Sequence, residues 1–219
     1  MESLVLTIRD TKLVSPLIRE LVLEAAQPVA LPTFSPGAHL KVHIPELNHH
    51  RCYSLIVADP NHASQQTPNQ YRLGIRLEQE GNGGSRYMHQ LKVGDTINVT
   101  GPINDFPLQS PTTNEPELVL IAGGIGITPI ASMAQQLKQE QRPFTLHYSA
   151  RSAEQLAFAD ELKTLLGDQL VCYTNDANAL DLPQLFKQLQ PNQHIYVCDP
   201  QGMIDAVIEL SKAGCWDRD

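Results

Sequence analysis

Residues 118–133 read LVLIAGGIGITPIASM, an apolar run that breaks into three glycines and a Thr-Pro pair. The apolar run predicts a buried strand, and the residues from Pro129 onward predict a helix that Thr128 caps. The turn between them lies where open α/β sheets bind ligands, and glycine lets backbone N–H groups approach a phosphate. The turn therefore indicates a nucleotide site, although a ligand-free turn fits it equally well. Its glycines are Gly123, Gly124 and Gly126.

The turn matches neither of the two common phosphate motifs in full. A P-loop is excluded because no Gly-Lys-Ser/Thr follows. In the dinucleotide fingerprint a third glycine is expected where Pro129 stands, and an acidic residue is expected at the end of the next strand. That strand instead ends in HYSARS (147–152), which supplies Arg151 and Ser152.

The second half of the chain alternates apolar strands with amphipathic helices. Such alternation predicts βαβ units and a parallel sheet. Ser152 and Gln155 form a capping-box pattern at the start of the second helix. The predicted strands cover 117–124, 143–150, 169–174 and 194–199, and the predicted helices cover 129–140, 153–166 and 202–214.

The first half reads as six short strands with almost no helix, which predicts a small antiparallel barrel. These strands cover 4–14, 17–25, 38–44, 51–57, 71–78 and 95–101. Residues 109–117 contain two prolines and no periodicity, so they predict a linker. We therefore expect a β-barrel domain over 1–108 and an α/β domain with a parallel sheet over 118–219.

Composition narrows the class of protein. The formal net charge of −8 argues against a nucleic-acid partner, which would require clustered Lys and Arg. No apolar run approaches the roughly 20 residues of a membrane helix, and the N-terminal residues do not resemble a signal peptide. The cysteines contain no C-x-x-C pair, so we expect no metal site and a cytoplasmic protein without disulfides. They are Cys52, Cys172, Cys198 and Cys215.

A second candidate site lies in the barrel half. In HRCYSL (50–55), Arg51 offers a fork for phosphate, Tyr53 an aromatic face on the same side of the strand, and Ser54 a small donor. Downstream, GNGGSRYMH (81–89) places Ser85 to cap a short helix. Together they indicate a site for a phosphate dianion. A barrel-rim salt bridge at Arg51 and a simple glycine turn remain alternatives.

The segments RCYSL, GGS, GGIGITP, HYSARS and VCDPQGM, in this order and spacing, resemble the ferredoxin–NADP reductase superfamily. The resemblance spans the chain and is greatest to the branch of phthalate dioxygenase reductase and vanillate demethylase reductase. It implies a flavin-binding barrel followed by a nicotinamide-nucleotide domain, commonly followed by a plant-type [2Fe–2S] domain. The chain has no C-x4-C-x2-C pattern. The cluster would then lie on a separate protein, or the sequence is a fragment.

The resemblance also implies roles for individual residues. Arg51 would hold the flavin phosphate, Tyr53 would pack along the isoalloxazine or ribityl chain, and Ser54 would approach flavin N5. The glycine turn would face the nicotinamide dinucleotide, Cys198 would lie beside the nicotinamide, and Ser54 and Cys198 would be catalytic. The remaining expected flavin residues are Cys52, Gly83, Gly84 and Ser85. The remaining expected nucleotide residues are Gly123, Gly124, Gly126, Ile127, Thr128, Arg151, Ser152 and Asp199.

The implied activity is hydride transfer from NADH to a flavin and electron delivery to a [2Fe–2S] ferredoxin that serves an oxygenase. The GGS loop resembles FMN-using members, so we expect FMN, with FAD as the alternative. Arg151 stands near two acids, Glu154 and Asp160, so we expect NADH rather than NADPH. Two other functions stay open: a stand-alone flavin or ferric reductase, and a nucleotide-binding module without turnover.

Asp199 departs from the family pattern, because relatives usually carry the glycine of Cys-Gly-Pro at this position. Aspartate tolerates left-handed backbone geometry better than most residues, so the turn can be kept. Its carboxylate would stand near the hydride-transfer site and favour the positively charged NAD⁺ over NADH. The alternative is a side chain that points into solvent.

Overall fold

The structure is a computed structural model that describes residues 3–27, 29–57, 69–110, 116–190 and 193–214. Its first half is a closed barrel in which all neighbouring strands are antiparallel, in the order β1-β2-β5-β4-β3-β6. The predicted six-stranded barrel is confirmed. The strands are β1 (Ser3–Leu13), β2 (Ile18–Ala25), β3 (His39–Ile44), β4 (His49–Ile56), β5 (Gln70–Arg76) and β6 (Thr96–Ile103), with the helix α1 (Gly84–Gln90) between β5 and β6.

The second half is a four-stranded parallel sheet with helices, as predicted. The strand order is β10-β7-β8-β9, and every residue of β7 is buried. The elements are β7 (Leu118–Gly123), α2 (Ile127–Gln139), β8 (Phe144–Ala150), α3 (Ala159–Leu166), β9 (Leu170–Thr174), α4 (Leu182–Phe186), β10 (Ile195–Cys198) and α5 (Gln201–Ala213). Apolar clusters line both faces of the sheet, which explains the continuous apolar runs in its strands.

The helix starts differ from the predictions. The helix α2 begins at Ile127 with no side-chain cap, and the Thr128 hydroxyl donates to the Ile125 carbonyl at 3.0 Å, so the predicted Thr128 cap is wrong. Ser152 does not cap through its side chain either, since only a short 3-10 turn follows it and α3 begins at Ala159. The sequence analysis missed α4, whose start is capped by the Asp181 carboxylate.

The predicted linker over 109–117 stays a prediction. The barrel strands end at Ile103 and the sheet begins at Leu118. Residues 111–115 lie outside the described residues.

The helix α2 packs directly against β4, the strand that carries Arg51–Ser54. The buried Ser132 hydroxyl donates to the Leu55 carbonyl at 2.7 Å. On the neighbouring strand β5, a Cβ on Gly74 would lie 2.8 Å from the Thr128 methyl carbon, so glycine lets the start of α2 approach the barrel. These contacts hold the glycine turn beside the candidate flavin strand.

A buried arginine joins the two domains next to this seam. The Arg72 guanidinium donates to the Glu20 carboxylate at 2.5 Å and forms a bidentate pair with Glu161 of α3, both bonds at 2.8 Å. The Phe158 ring lies 5.8 Å from the same guanidinium carbon, and Phe158 has a left-handed φ of 61°. Burial alone would lower the pKa of Arg72, but the bonds and charges of Glu161 and Glu20 raise it. The cation is therefore fully matched by acids from both domains.

The glycine turn is shaped by a second backbone segment. A Cβ on Gly126 would lie 2.2 Å from the Cys198 carbonyl oxygen, and a Cβ on Gly123 would lie 2.3 Å from the Asp199 carbonyl oxygen. Gly124 has a left-handed φ of 51°, and the nearest atom to its Cβ position is an Asp199 carboxylate oxygen at 3.8 Å. Two of the three glycines therefore permit contact with the turn after β10.

Replacing Glu161 with Gln should weaken the domain seam at neutral pH. The hydrogen bonds from Arg72 hold the pKa of Glu161 below its ordinary value. The ionised carboxylate therefore stabilises the fold above the ordinary Glu pKa, and this contribution is lost as pH falls through the lowered folded pKa. Because Glu161 is partly exposed, we expect Glu161→Gln to lower the free energy of unfolding by about 1–2 kcal/mol at pH 7.

Urea denaturation at pH 7 and at about pH 3 measures the effect, with Glu154→Gln as the control at an exposed acid of the same domain. The difference between Glu161→Gln and the parent protein should shrink at the lower pH. Equal stabilities at pH 7 would contradict the assignment.

Gly126→Ala should destabilise the protein by about 1–3 kcal/mol, because the added methyl group overlaps the Cys198 carbonyl. Gly202→Ala in α5 is the matched control, since no atom lies within 4 Å of its Cβ position. Thermal unfolding of both variants gives the comparison. A Gly126→Ala protein as stable as Gly202→Ala would show that the two turns separate at little cost.

Candidate functional site

Two pockets lie in the cleft between the barrel and the sheet. We call them the barrel pocket, of about 350 Å³, and the sheet pocket, of about 240 Å³. The barrel pocket is lined by Arg51, Cys52, Tyr53, Ser54, Gly74, Arg76, Glu78, Gly81, Asn82, Gly84, Ser85, Ile125, Gly126, Thr128, Pro129, Cys198 and Asp199. The sheet pocket is lined by Ser15, Leu17, Ile18, Arg76, Gly123, Gly124, Ser149, Ala150, Arg151, Gln155, Asn175, Asp199, Pro200 and Met203.

The strand β4 supplies one wall of the barrel pocket through four consecutive residues, Arg51–Ser54. The Arg51 guanidinium donates to the His50 carbonyl at 3.0 Å, and its side chain crosses the start of α1 so closely that a Cβ on Gly84 would lie 2.9 Å from the Arg51 Cγ. Tyr53 packs against the barrel core, and burial raises the pKa of Tyr53 to about 12. The phenol is therefore neutral at physiological pH and can donate a hydrogen bond.

The loop before α1 closes the pocket. Gly83 has a left-handed φ of 89° and forms the turn, but it is not among the residues that line the pocket. The Ser85 hydroxyl accepts a hydrogen bond from the Glu78 amide at 3.0 Å, so Ser85 joins the helix to the segment after β5 and the predicted Ser85 cap is wrong. No side chain caps α1, and its first residue, Gly84, lies next to the Arg51 side chain.

The predicted nucleotide residues divide between the two pockets. Gly123, Gly124 and Arg151 line the sheet pocket, whereas Gly126 and Thr128 line the barrel pocket. Ile127 and Ser152 line neither pocket; the Ile127 side chain is fully buried in the core under the sheet. Any contact of Ile127 with a ligand would therefore come from its backbone.

Cys198, the last residue of β10, lines the barrel pocket, and Asp199, the next residue, lines both pockets. Burial and the Asp199 charge together raise the pKa of Cys198 to about 11, so the thiol is protonated at neutral pH. Asp199 has a left-handed φ of 42°, the geometry that the sequence analysis expected an aspartate to tolerate. Burial raises the pKa of Asp199 above its ordinary value, although the Arg76 charge opposes this. Asp199 is partly exposed and lines both pockets.

Several lining residues are not predicted by the sequence, and two of them, Arg76 and Glu78, carry charge. Arg76 is the last residue of β5, and its guanidinium lies 3.4 Å from the Glu78 carboxylate. The sequence offered one indication that these two residues belong to the site, because the charged pair directly precedes the glycine loop of residues 81–84. Spacing along one strand could not show that this pair faces the other domain.

Among the residues that the structure describes, no group of three or more His, Cys, Asp or Glu side chains is arranged to hold a metal ion. No helix in the described part of the chain is long and apolar enough to cross a membrane.

Comparisons with known proteins match both domains. Residues 5–107 match a family model described as an oxidoreductase FAD-binding domain, and residues 120–209 match one described as an oxidoreductase NAD-binding domain. Among solved structures, phthalate dioxygenase reductase superposes with a TM-score of 0.83 at 33% identity, over 98% of this chain and 65% of that chain. CYP116B46 from Tepidiphilus thermophilus superposes with a TM-score of 0.88 at 32% identity, over 98% of this chain and 28% of that chain.

Curated relatives give the same result. The chain is 36% identical over 205 residues to vanillate O-demethylase oxidoreductase of Acinetobacter baylyi, covering 92% of this chain and 61% of the relative. It is 36% identical over 196 residues to phthalate dioxygenase reductase of Burkholderia cepacia, covering 87% and 57%. The chain thus spans about three fifths of the length of these relatives. It belongs to the ferredoxin–NADP reductase superfamily, in the branch of phthalate dioxygenase reductase and vanillate O-demethylase oxidoreductase.

Proposed function

We propose that the chain is an NADH-dependent flavin oxidoreductase that passes electrons from NADH through FMN to a [2Fe–2S] ferredoxin, on the same or a separate protein, that serves an oxygenase. The observation that carries this proposal is the meeting of the two pockets in one cleft. One pocket has an arginine, a phenol and a serine from a single strand, and the other has a glycine turn at the end of a parallel strand. A cofactor and a dinucleotide bound there would be adjacent.

The barrel pocket has a donor set that fits a flavin mononucleotide. Arg51 and the start of α1 offer a cation and N–H groups for a phosphate, and glycine at position 84 lets the Arg51 side chain lie against the start of the helix. Tyr53 offers an aromatic face and a neutral hydroxyl for the ring or ribityl chain. A bound flavin would supply hydride acceptance and one-electron release, chemistry that no side chain provides.

The other residues would bind and orient. Ser54 would donate a hydrogen bond near flavin N5, and Cys52, Gly83 and Ser85 would complete the cradle. The protonated Cys198 thiol would pack beside the nicotinamide without adding charge. The proposed dinucleotide residues are Gly123, Gly124, Gly126, Ile127 and Thr128 in the turn, Arg151 and Ser152 at the adenosine end, and Asp199 near the nicotinamide.

The description of a solved relative supports the proposed electron acceptor. The solved phthalate dioxygenase reductase is described as a modular structure for electron transfer from pyridine nucleotides to [2Fe–2S]. Because this chain spans about three fifths of its relatives, the acceptor can be a further domain or a separate ferredoxin.

A flavin assay tests the proposed function directly. The purified protein should be yellow, should release FMN on heating, and should bleach when NADH is added under anaerobic conditions. Cytochrome c reduction should then rise severalfold when a [2Fe–2S] ferredoxin is added. Equal rates with and without ferredoxin would indicate a stand-alone flavin reductase, and no bleaching would indicate a binding module without turnover.

Arg51→Ala should weaken flavin binding by about 1.5–3 kcal/mol, because it removes a charge-assisted contact to the phosphate. Isothermal titration of the apoprotein with FMN measures the change, which corresponds to about 10- to 150-fold in Kd. Arg86→Ala, an exposed arginine of α1, is the matched control. An unchanged Kd for Arg51→Ala rejects the phosphate contact, and tighter binding of FAD than of FMN by the parent protein rejects the choice of FMN.

NADH should give a larger kcat/KM than NADPH. A 2′-phosphate needs dedicated cations, and the adenosine end of the sheet pocket offers one arginine, Arg151, next to the uncharged Gln155 and Asn175. Steady-state kinetics with both nucleotides measure the preference. Arg151→Ala should change the kinetics with NADPH more than those with NADH. A larger kcat/KM with NADPH in the parent protein would contradict the prediction.

A further inference from the structure

Two charged residues stand where the barrel pocket meets the sheet pocket. Arg76 and Asp199 are the residues that line both pockets. Arg76 ends β5 in the barrel, and Asp199 follows β10 in the sheet domain. Each domain therefore places one charge, of opposite sign, at the boundary between the two pockets.

The Asp199 side chain lies against the glycine turn. Its Cβ lies 2.8 Å from the Cβ position of Gly126, and one carboxylate oxygen lies 3.8 Å from the Cβ position of Gly124. The left-handed φ of 42° belongs to the backbone that brings the residue to the turn. The structure therefore places the carboxylate beside the glycine turn, at the boundary of the two pockets.

Arg76 forms an ion pair with one acid, Glu78, and interacts with a second acid, Asp199, through its charge alone. Its guanidinium lies 3.4 Å from the Glu78 carboxylate, in its own domain. Its charge also acts on Asp199, where it opposes the effect of burial on the carboxyl pKa. A ligand that separates Arg76 from Asp199 therefore leaves Arg76 paired with Glu78, and the remaining unpaired charge is that of Asp199.

We propose that Arg76 and Asp199 form a charged gate between the domains, which a nicotinamide ring displaces on its way from the sheet pocket to the barrel pocket, and that Asp199 then selects for the oxidised ring. This inference rests on the proposed function. Hydride loss removes one proton and two electrons from a neutral dihydronicotinamide and leaves a cationic ring. A carboxylate beside the ring attracts the cation and not the neutral form, whereas Arg76 reduces that attraction. Asp199 is thus a specificity-determining residue and Arg76 a positioning residue.

Equilibrium titrations of the oxidised holoprotein test the gate. The ligands are NAD⁺, the redox-inert neutral analogue 1,4,5,6-tetrahydro-NADH, and ADP-ribose, which lacks the nicotinamide. Asp199→Asn removes the charge and keeps a residue that tolerates left-handed geometry. We expect it to lower the affinity for NAD⁺ relative to the neutral analogue by about tenfold, with ADP-ribose binding unchanged. Glu80→Gln, an exposed acid that lines neither pocket, is the control and should leave the ratio unchanged.

A double-mutant cycle tests the part of Arg76. Arg76→Gln should shift the affinity ratio toward NAD⁺, and this shift should vanish in the Asp199→Asn background. A ratio in Asp199→Asn within twofold of the parent protein overturns the proposal. So does an equal loss for all three ligands, since that indicates a structural role. Bleaching by NADH is measured on the same samples, so a failure of the proposed function is seen separately from a failure of the gate.

Discussion

The packing of α2 against β4 determines the geometry of the cleft. The hydrogen bond from Ser132 to the Leu55 carbonyl joins the helix that follows the glycine turn to the strand that carries Arg51–Ser54. Because both partners are buried and one is backbone, the bond tolerates little displacement. Arg72, matched by acids from both domains, adds a directional contact next to it. These contacts therefore set how far apart the two pockets lie, and how ligands bound in the two pockets could contact each other.

The glycine turn shows that one sequence motif can satisfy two demands. Gly123 and Gly126 are needed for the close approach of the backbone at 198–200, and Gly124 takes the left-handed conformation that opens the turn toward the pockets. A substitution at either of the first two would push the β10 turn outward and move Cys198 and Asp199 with it. Packing and ligand access are therefore coupled through the same three residues.

The fold class could be predicted from the sequence because the spacing of apolar residues follows the burial of side chains. The strands of both domains show such a regular spacing. The residues of β4 that the family pattern singled out line the barrel pocket, and their contact with a flavin stays a prediction. Prediction from the sequence failed at helix starts, where tertiary contacts decide: Phe158 takes a left-handed φ while packing over Gly74 and Arg72, and α3 begins only after it. It also missed Arg76, because the meeting of β5 with the turn after β10 brings together residues more than a hundred positions apart.

The protonation state of Cys198 determines how readily its sulfur is oxidised. Peroxide oxidises thiolates far faster than thiols, and a thiol with a pKa of about 11 is almost entirely un-ionised at neutral pH. Burial and the neighbouring carboxylate therefore lower the chemical reactivity of this sulfur beside the barrel pocket, where the proposed flavin, once reduced, would generate peroxide from dioxygen. The surroundings that hold Cys198 beside this pocket would thus protect it from sulfenic acid formation.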